Sequence, residues 1–442
     1  MGKKVLVVSA RKEAENIYSV LDPLGVVIKI FTDAGSLKDV SGLRGIDVVI
    51  LEEKIYSGIK ESRKKKLFDI LKRSKKKFMV VSSRKALSAV IEARDLGAAD
   101  FICSPYHHRE FIARFNAVAY GKKRITCLGG GTGLFHILMG FKEIPDTLLT
   151  SVVSMTDDGG SSGKLKASFG ILPPGDIRRS LVALSDAPEI MNQLMKYRFQ
   201  RGGHFVGHSV GNLFLAALAE ITGSFPEAVK MISDVLNVRG IVLPVTDTQT
   251  TLCASFEDGT VIKGESKIDS SEGKHPDLRI RDIWHEPETK CTIDAFAAII
   301  NSDIVTIGPG DLFTSVSTNL VVKDIRKAVS GTKALKVYIC NLMTKPGETS
   351  NCDVYDHVSA IIKYLGEDSL DHVIISNTKL SAGAISEYAL KKQYPVETGS
   401  IERLRGITKA KIILADVGHA TELVRHESEK IKNQIWRLLR AR

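Results

Sequence analysis

The chain has 442 residues, of which 43% are hydrophobic and 26% are charged, a composition typical of soluble globular proteins. That length predicts two or three domains with sizeable cores. No stretch reaches about 18 uninterrupted apolar residues, and Met1–Lys4 leads directly into a strand-like run, so we expect a cytoplasmic protein with neither a membrane span nor a signal peptide.

The formal net charge of +11 is concentrated in the N-terminal part of the chain. Residues 1–121 hold 23 Lys and Arg against 14 Asp and Glu, chiefly in the runs Arg63–Lys66 and Lys72–Lys77. Such a patch can bind nucleic acid or an acidic partner. No aromatic residues interleave the lysines, however, which favours a solvated helix face, and we do not expect a nucleic-acid partner.

The first 123 residues alternate strand-like and helix-like stretches. Apolar runs predict five strands, Lys4–Val8, Val26–Phe31, Asp47–Leu51, Phe78–Val81 and Phe101–Cys103. Amphipathic stretches such as Ala86–Asp95 separate these strands. The alternation predicts a doubly wound parallel sheet of the α/β class.

The spacing of this region, with Gly97–Ile102 ahead of Ser104-Pro105-Tyr106, resembles the receiver domain of bacterial response regulators. The resemblance implies a flavodoxin-like fold, but its phosphorylation chemistry is not carried over. The acidic pair, the phosphoacceptor aspartate and the lysine of that family are replaced here by Ser9 and Ala10, by Glu52 and by Ser104. We therefore predict a pseudo-receiver domain over residues 1–121 that serves dimerisation or docks a protein partner.

The stretch from Ile125 to Lys164 contains two strand ends rich in glycine and polar residues. The apolar run Ile125–Leu128 breaks into Gly129–Gly133 before a helix-like segment, an arrangement that presents backbone N–H groups to a phosphate. The next run, Leu149–Ser154, ends in Met155–Lys164, which contains paired carboxylates, hydroxyls and a lysine. Because ligands bind at the carboxyl edge of open α/β sheets, these strand ends predict a nucleotide or sugar-phosphate site.

Neither of the two named phosphate-binding motifs is complete in this stretch. The dinucleotide fingerprint has Leu134 at its third glycine. A P-loop would have Asp158 at its first glycine and Leu165 where Ser or Thr belongs. A Rossmann-like binding turn and a plain structural turn therefore both stay open.

The run Gly175–Arg179 predicts a helix start with Asp176 as the N-cap of Ile177–Leu184. Arg178 and Arg179 then lie in the first turn, where cations oppose the helix dipole. The pattern indicates either an anion held nearby or simple solvation of an arginine.

Gly207–Leu213 precedes another apolar helix, Leu213–Thr222, and places His208 beside its free N–H groups. His208 is a candidate acid/base or phosphate donor, and the alternative is a hydrogen-bonding structural histidine. Ser209 does not lie in a G-x-S-x-G elbow, so we do not predict a hydrolase nucleophile.

Thr251–Phe256 and Val261–Lys267 predict a β-hairpin around the Asp258-Gly259 turn. Residues 268–288 are polar and irregular in pattern. We expect this segment either to cover the site or to form an interface.

Later strands also end in glycine or polar residues. They are Ile304–Ile307 before Gly308–Ser315, Val337–Cys340 before Asn341–Thr349, Val373–Ser376 before Asn377, and Ile412–Ala415 before Asp416. This repetition strengthens the prediction of a binding edge. The C-terminal residues Ile431, Ile435 and Leu439 predict an amphipathic helix.

Six longer motifs carry a family resemblance, namely GGGTGL, MTDDGGSSGKL, GDIRR, GHSVGNLFLAAL, IGPGDLFTS and CNLMTKPGET. They resemble the YvcK-like proteins, the bacterial gluconeogenesis factors, which share a superfamily with the 2-phospho-L-lactate transferase CofD. The resemblance implies a Rossmann-like core, binding of a UDP-sugar such as UDP-N-acetylglucosamine, and roles in carbon metabolism, cell shape and cell-wall precursor balance. We predict a nucleotide-sugar-binding domain over residues 122–442.

Carried over by position, the resemblance implies that the nucleotide-sugar contacts Gly130, Gly131, Thr132, Gly133, Asp157, Asp158, Asn212, Gly308, Pro309, Gly310, Asn341, Tyr388 and Arg425. It implies no established reaction. The alternative is a CofD-type phospho-group transferase in which Asp157 and Asp158 hold Mg²⁺ and His208 assists proton transfer. We expect a homodimer.

Overall fold

The computed structural model describes residues 2–37, 40–270, 278–419 and 424–442. The chain forms two compact units. The first comprises Met1–Arg124, Asp146–Leu148 and Phe296–Asn301, and the second comprises Ile125–Pro145, Leu149–Ala295 and Ser302–Arg442. None of the helices in the described ranges is both long enough and apolar enough to cross a bilayer.

The first unit contains five strands and five helices among its described residues. They are β1 (Lys4–Val8), α1 (Arg11–Leu21), β2 (Val27–Phe31), β3 (Val48–Glu52), α2 (Glu53–Ser57), α3 (Glu61–Ser74), β4 (Lys77–Ser82), α4 (Leu87–Asp95), β5 (Asp100–Cys103) and α5 (His108–Tyr120). Short 3₁₀ turns lie at Asp22–Leu24, Ala34–Ser36 and Val40–Leu43.

The five strands form a parallel sheet in the order β2-β1-β3-β4-β5, which is the flavodoxin-like order. Alternate residues of β1, such as Val5 and Val7, pack with Phe111 and Phe115 of α5 in a fully buried core. The strand runs are β-branched and apolar because helices cover both faces of such a sheet. The predicted flavodoxin-like α/β fold is confirmed.

Glu52, at the end of β3, is buried. Its Oε2 accepts hydrogen bonds from Ser9 Oγ and from Ala10 N, each at 2.8 Å. Ala10 is the N-cap residue of α1, so the carboxylate lies at the positive end of that helix. The residues that replace the receiver acids are therefore hydrogen-bonded to one another at the start of α1.

From Lys123 the chain forms a second, larger α/β arrangement. Its first half contains β6 (Lys123–Gly129), α6 (Gly131–Phe141), β7 (Thr147–Val153), α7 (Gly160–Phe169), α8 (Gly175–Leu184), α9 (Glu189–Lys196), a 3₁₀ turn (Gly203–Phe205), α10 (Val210–Thr222), α11 (Phe225–Val235), β8 (Ile241–Pro244), β9 (Thr251–Phe256), β10 (Val261–Lys263), α12 (Glu265–Asp269), β11 (Ile280–Glu286) and α13 (Ile293–Ile300).

The second half contains β12 (Ile304–Ile307), a π-helical segment (Leu312–Ser317), α14 (Thr318–Leu320), α15 (Ile325–Gly331), β13 (Leu335–Ile339), α16 (Val354–Leu365), β14 (His372–Ser376), α17 (Ala382–Leu390), α18 (Ile401–Arg405), β15 (Lys411–Ala415), β16 (Gly418–His419), β17 (Arg425–His426) and α19 (Ser428–Arg440). The predicted C-terminal amphipathic helix is confirmed, with Ile431, Ile435 and Leu439 buried.

Seven strands form the central sheet in the order β15-β14-β13-β12-β6-β7-β8. The chain runs outward from β6 through β7 to β8, and then returns to the other side of β6 with β12. β12 pairs parallel with β6, with Ile304 opposite Ile125. The direction of winding therefore reverses between β6 and β12, and a Rossmann-like sheet binds ligands outside the carboxyl ends of the strands at that point.

A separate three-stranded antiparallel sheet, in the order β10-β9-β11, corrects two sequence predictions. The predicted second hairpin strand stops at Lys263, and Glu265 begins α12 instead. The stretch 268–288, predicted to be irregular, contains β11, which pairs with β9. The register shifts between Ile280 and Asp282, and this irregularity breaks the two-residue alternation by which a strand is recognised. Residues 271–277 of that stretch lie outside the described residues.

Candidate functional site

The turn between β6 and α6 is packed so closely that glycine is required in it. A Cβ on Gly130 would lie 2.5 Å from Ser154 Oγ, and a Cβ on Gly133 would lie 2.5 Å from the carbonyl oxygen of Pro309. Gly131 has φ +65°, which side chains other than glycine rarely adopt. The glycine-rich turn after β6 therefore lies directly against the turn after β12.

Together with the turn after β13, these turns form a pocket of about 290 Å³, which we call the crevice. Asn341 Nδ2 donates to the carbonyl oxygen of Gly310 at 2.8 Å and joins the last two turns. The crevice is lined by Thr132, Gly133, His136, Pro309, Gly310, Asp311, Asn341, Leu342, Met343, Thr344, Lys345, Tyr388, Gln393, Val424, Arg425 and His426.

Seven of the residues predicted to contact a nucleotide-sugar line this crevice, namely Thr132, Gly133, Pro309, Gly310, Asn341, Tyr388 and Arg425. Gly130, Gly131 and Gly308 do not line it, but they belong to the two turns that shape it. The structure places Asp157, Asp158 and Asn212 in other surroundings.

Arg425 and Tyr388 reach the crevice from the C-terminal part of the chain. Tyr388 Oη accepts a hydrogen bond from Val424 N at 3.1 Å and so fixes the backbone next to Arg425. Arg425 Nη1 lies 3.1 Å from His136 Nε2 on α6. Burial, and then the charge of Arg425, lower the pKa of His136, so its neutral ring can accept this hydrogen bond.

An ion-pair cluster around Lys345 lies at the same sheet edge, with Glu348 buried and Lys345, Asp269 and Asp311 partly exposed. Lys345 Nζ pairs with the carboxylate of Asp269, with Asp311 Oδ2 at 2.7 Å and with Glu348 Oε2 at 3.7 Å. Glu348 is almost fully buried, and its Oε1 accepts hydrogen bonds from Phe313 N at 2.6 Å and Thr314 N at 3.0 Å. The cluster thereby ties the turn after β12 to the segment after β13.

The pKa values in this cluster reflect burial and pairing. Burial raises the pKa of Glu348 to about 7, against the opposing effect of Lys345. Burial lowers the pKa of Lys345, but Glu348, Asp311 and Asp269 outweigh it and raise the pKa overall. The three carboxylates have oxygens within 4.8 Å of one another, close enough to share a metal ion, and Lys345 supplies a cation there.

Sequence reasoning missed this cluster although its signal was present. Asp311 directly follows the predicted Gly308–Gly310 turn, and Lys345 and Glu348 lie a few residues beyond Asn341. A lysine and a glutamate three residues apart normally indicate an exposed pair of little energetic value. Only the depth of burial distinguishes this pair.

Asp157 and Asp158 follow β7 but point to different partners. Asp158 accepts hydrogen bonds from Ser266 N at 2.8 Å and Glu265 N at 3.2 Å, which satisfies the first N–H groups of α12. Asp157 Oδ1 accepts from Gly159 N at 3.0 Å. Asp158 therefore anchors α12. The binding of Mg²⁺ by Asp157 and Asp158 together stays a prediction.

The prediction that Asp176 caps α8 is wrong. α8 begins at Gly175, Pro174 occupies the N-cap position, and Asp176 lies in the first turn. Its Oδ2 instead accepts from Gly131 N at 2.8 Å and its Oδ1 from Arg179 Nη1 at 2.9 Å. Burial raises the pKa of Asp176, while Arg179 lowers it. Asp176 therefore forms a long-range hydrogen bond to the glycine-rich turn after β6 and does not cap α8.

Glu265, at the start of α12, lies close to several other carboxyl groups. Burial, followed by the carboxylates of Asp157 and Asp269, raises its pKa to about 9. Glu265 is therefore protonated at neutral pH. A carboxyl group held neutral beside Asp157 marks a region where a bound cation would be stabilised.

His208 belongs to a buried polar network of α7, α8 and α10. Its Nδ1 lies 3.1 Å from Ser161 Oγ, which also accepts from Asn212 Nδ2 at 3.1 Å. Asn212 Oδ1 in turn accepts from Arg178 Nε at 2.9 Å. Burial, then Lys164 and Arg198, lower the pKa of His208, so the ring is neutral. We call Ser161, Arg178, His208 and Asn212 the Arg178 network.

Comparison with known proteins decides the family. Residues 125–417 match the family described as 2-phospho-L-lactate transferase CofD. The chain belongs to the CofD family. All crevice residues except Val424, Arg425 and His426 lie inside the matched CofD region.

Within this family the chain is similar to bacterial gluconeogenesis factors. It is 39% identical to the gluconeogenesis factor of Bacillus subtilis, over 72% of this chain and 99% of that protein. It is also 39% identical to the gluconeogenesis factor of Halalkalibacterium halodurans, over 71% and 96% respectively. The predicted relation to gluconeogenesis factors and CofD is confirmed.

A solved CofD-like fold supports the same assignment. The chain is 38% identical to a UPF0052-family protein from Bacillus halodurans whose crystal structure is known. The two structures superpose over 71% of this chain and 99% of the other chain, with a TM-score of 0.67. The predicted Rossmann-like CofD fold is thus confirmed.

Proposed function

We propose that this protein is a gluconeogenesis-factor-like regulator that binds a UDP-sugar, such as UDP-N-acetylglucosamine, in the crevice. The observation that carries the proposal is that seven residues, which the family resemblance implies as ligand contacts and which lie far apart in the sequence, line one pocket at the β6/β12 reversal. The proposal extends to a role in carbon metabolism, cell shape and cell-wall precursor balance. Relatives named gluconeogenesis factors support the first of these roles.

The chemistry of the crevice suits a diphosphate. Thr132 and Gly133 lie in the first turn of α6, an 11-residue helix, where backbone N–H groups have no intrahelical acceptor. The helix dipole favours an anion at that end. Arg425, which is exposed at the crevice, offers a charged fork for phosphate oxygens.

Polar groups that do not carry net charge complete the crevice. Lys345 is neutralised by its carboxylate partners, so it does not compete with Arg425 for the phosphates. Asn341 and the Leu342–Thr344 backbone offer uncharged donors and acceptors. The volume of about 290 Å³ lies at the small end of the ~300–1,000 Å³ range of ligand pockets. It suits one part of a UDP-sugar, with the rest extending outward.

The test is calorimetry of UDP-N-acetylglucosamine with the full-length protein and two variants. Arg425→Met should weaken binding at least about tenfold, because charge-assisted bonds to phosphate are lost. Arg405→Met, at an exposed arginine of α18, makes the same charge change away from the crevice and should bind like the wild type. Equal loss in both variants, or no binding of any UDP-sugar by the wild type, would refute the proposal.

A second candidate function is transfer of a phospho-group of the CofD type. The observation that favours it is a cluster of three carboxyl groups, those of Asp157, Asp176 and Glu265, beside the glycine-rich turn. Mg²⁺ bound there would neutralise charge on a transferred group. Asp157 is the residue suited to hold it, because among the described residues no hydrogen bond reaches its Oδ2, whereas both oxygens of Asp158 accept amides.

A turnover assay separates the two functions. The full-length protein is incubated with Mg²⁺, a deazaflavin acceptor and a nucleotide-activated phospholactate, and product is measured by mass spectrometry. We expect no turnover, in keeping with a binding protein. Product that disappears in Asp157→Asn but persists in Asp258→Asn, at an exposed turn aspartate, would establish the transferase instead.

A further inference from the structure

Arg178, on α8, is a buried cation without a counter-ion. Its side chain is only 7% exposed, and its Nε donates to the neutral amide oxygen of Asn212. Among the described residues, no carboxylate forms an ion pair with it and no acceptor meets its two terminal nitrogens. Neither terminal nitrogen is among the fully buried side-chain atoms that lack a partner, so both reach solvent and can donate to an acceptor that enters there.

The surroundings of Arg178 add positive charge. Burial, then Arg179 and Arg198, lower the pKa of Arg178 to about 10, and the opposing influence of Asp176 and Asp157 is smaller. Asp176 already pairs with Arg179. Lys164 and Arg198 also act on His208, as its lowered pKa shows. Arg179 and Arg198 therefore act on Arg178 more strongly than Asp176 and Asp157 do.

Helix ends supply further donors at the same place. Ser161 lies in the first turn of α7, and Asn212 lies in the first turn of α10, whose N-cap is Ser209. The two helices have 10 and 13 residues, long enough for the positive ends of their dipoles to matter. At α10 the N–H groups of Val210 and Asn212 already donate to the carbonyl oxygen of Tyr197 and to Ser209. Among the described residues, the first turn of α7 is therefore the helix end that still offers unpaired N–H groups beside Ser161.

Close packing shows that the position of Arg178 is built into the fold. A Cβ on Gly211 would lie 2.7 Å from Arg178 Cδ and 2.7 Å from the carbonyl oxygen of Met195. Glycine at position 211 therefore leaves the space that the arginine stem occupies. On the side of Gly211 and Met195, the aliphatic part of the Arg178 side chain is therefore held in place by packing.

We infer that the Arg178 network, with Arg198 and Lys164 at its edge, is a subsite for the phosphate group of a second small-molecule ligand. It goes beyond the proposed function, because none of these residues lines the crevice. They lie in α7, in α8, in the first turn of α10 and in the segment 197–209 before it, all of which follow β7, whereas the crevice is built after β6, β12 and β13.

The test measures binding of inorganic phosphate to the full-length protein by calorimetry, with and without saturating UDP-N-acetylglucosamine. We expect phosphate to bind in both conditions. Arg178→Met should raise the Kd for phosphate at least about tenfold. Arg201→Met, an exposed arginine with the same charge change, should leave it unchanged within about twofold. No phosphate binding by the wild type, equal binding by Arg178→Met, or displacement of phosphate by the UDP-sugar would each overturn the inference.

Thermal unfolding of the same variants separates ligand binding from a structural role. Without phosphate, Arg178→Met should raise Tm, because a desolvated charge is removed, and added phosphate should no longer raise it further. Arg178→Lys keeps the charge but loses the fork, and we expect weaker stabilisation by phosphate than in the wild type. A Tm of Arg178→Met that is lower than that of the wild type by the same amount with and without phosphate would show that Arg178 only supports Asn212.

Discussion

Replacing Gly133 with alanine is expected to weaken binding of UDP-N-acetylglucosamine at least about tenfold and to lower the thermal stability of the protein. The added Cβ would lie 2.5 Å from the carbonyl oxygen of Pro309 and 2.9 Å from Gly310 N, and neither backbone atom can move cheaply. The turns after β6 and β12 must then separate, and the crevice between them changes shape. Calorimetry and a thermal melt measure both effects.

Two further glycine variants make this result interpretable. Gly131→Val should also abolish binding, because its φ of +65° disfavours a β-branched residue and its N–H holds Asp176. Gly383→Ala, in α17, adds its Cβ where nothing lies within 4 Å. It should bind normally and gain roughly 0.5–1 kcal/mol of stability. Normal UDP-sugar binding by Gly133→Ala would show that the crevice is not the binding site.

Replacing Glu265 with glutamine is expected to stabilise the protein at alkaline pH. Folding raises the pKa of Glu265 from 4.5 to about 9, so its contribution to stability is fully present below pH 4.5 and is lost as the pH rises towards 9. Glutamine cannot ionise and avoids this loss. We expect a gain on the order of 1–3 kcal/mol in the free energy of unfolding at pH 9, and little difference at pH 5.

Urea unfolding of the wild type and Glu265→Gln at several pH values tests this expectation. The control is Glu288→Gln, at a glutamate whose side chain is 73% exposed, which should leave the pH dependence unchanged. Parallel stability curves for Glu265→Gln and the wild type would contradict the expectation. If Mg²⁺ reduces the difference between the two proteins at pH 9, the carboxylates around Glu265 bind the ion.

Several features of this protein followed from the order of residues alone. Glycine and polar residues after β6, β12 and β13 had to meet, because parallel strands joined by helices place all their carboxyl ends at one edge. Local chemistry was therefore enough to predict that the polar and glycine residues after these strands collect at one edge of the sheet. The family resemblance added Tyr388, in α17, and Arg425, in the two-residue strand β17, and hydrophobic periodicity could have placed neither of them at the crevice.

Features that depend on distant partners were decided only by the tertiary structure. By local rules Asp176 was a helix cap, but the N–H of Gly131, 45 residues away, is its actual partner. Asp158 was predicted to hold Mg²⁺ together with Asp157, and only the structure shows that its oxygens also accept hydrogen bonds from the first amides of α12. A carboxylate accepts hydrogen bonds from donors that are close to it in the folded protein. The spacing of residues along the sequence does not give the distance between such a carboxylate and a donor.

Burial was the other quantity that the sequence could not supply. Arg178, Lys345 and Glu348 have the residue types of ordinary surface groups, and their spacing is that of exposed helix pairs or solvated turns. Packing buries Arg178 and Glu348 and leaves Lys345 only partly exposed, and this desolvation changes their pKa values and makes a missing partner costly. The residue order thus determined the strands, the turns and the edge at which they meet, while packing determined which charges there are paired.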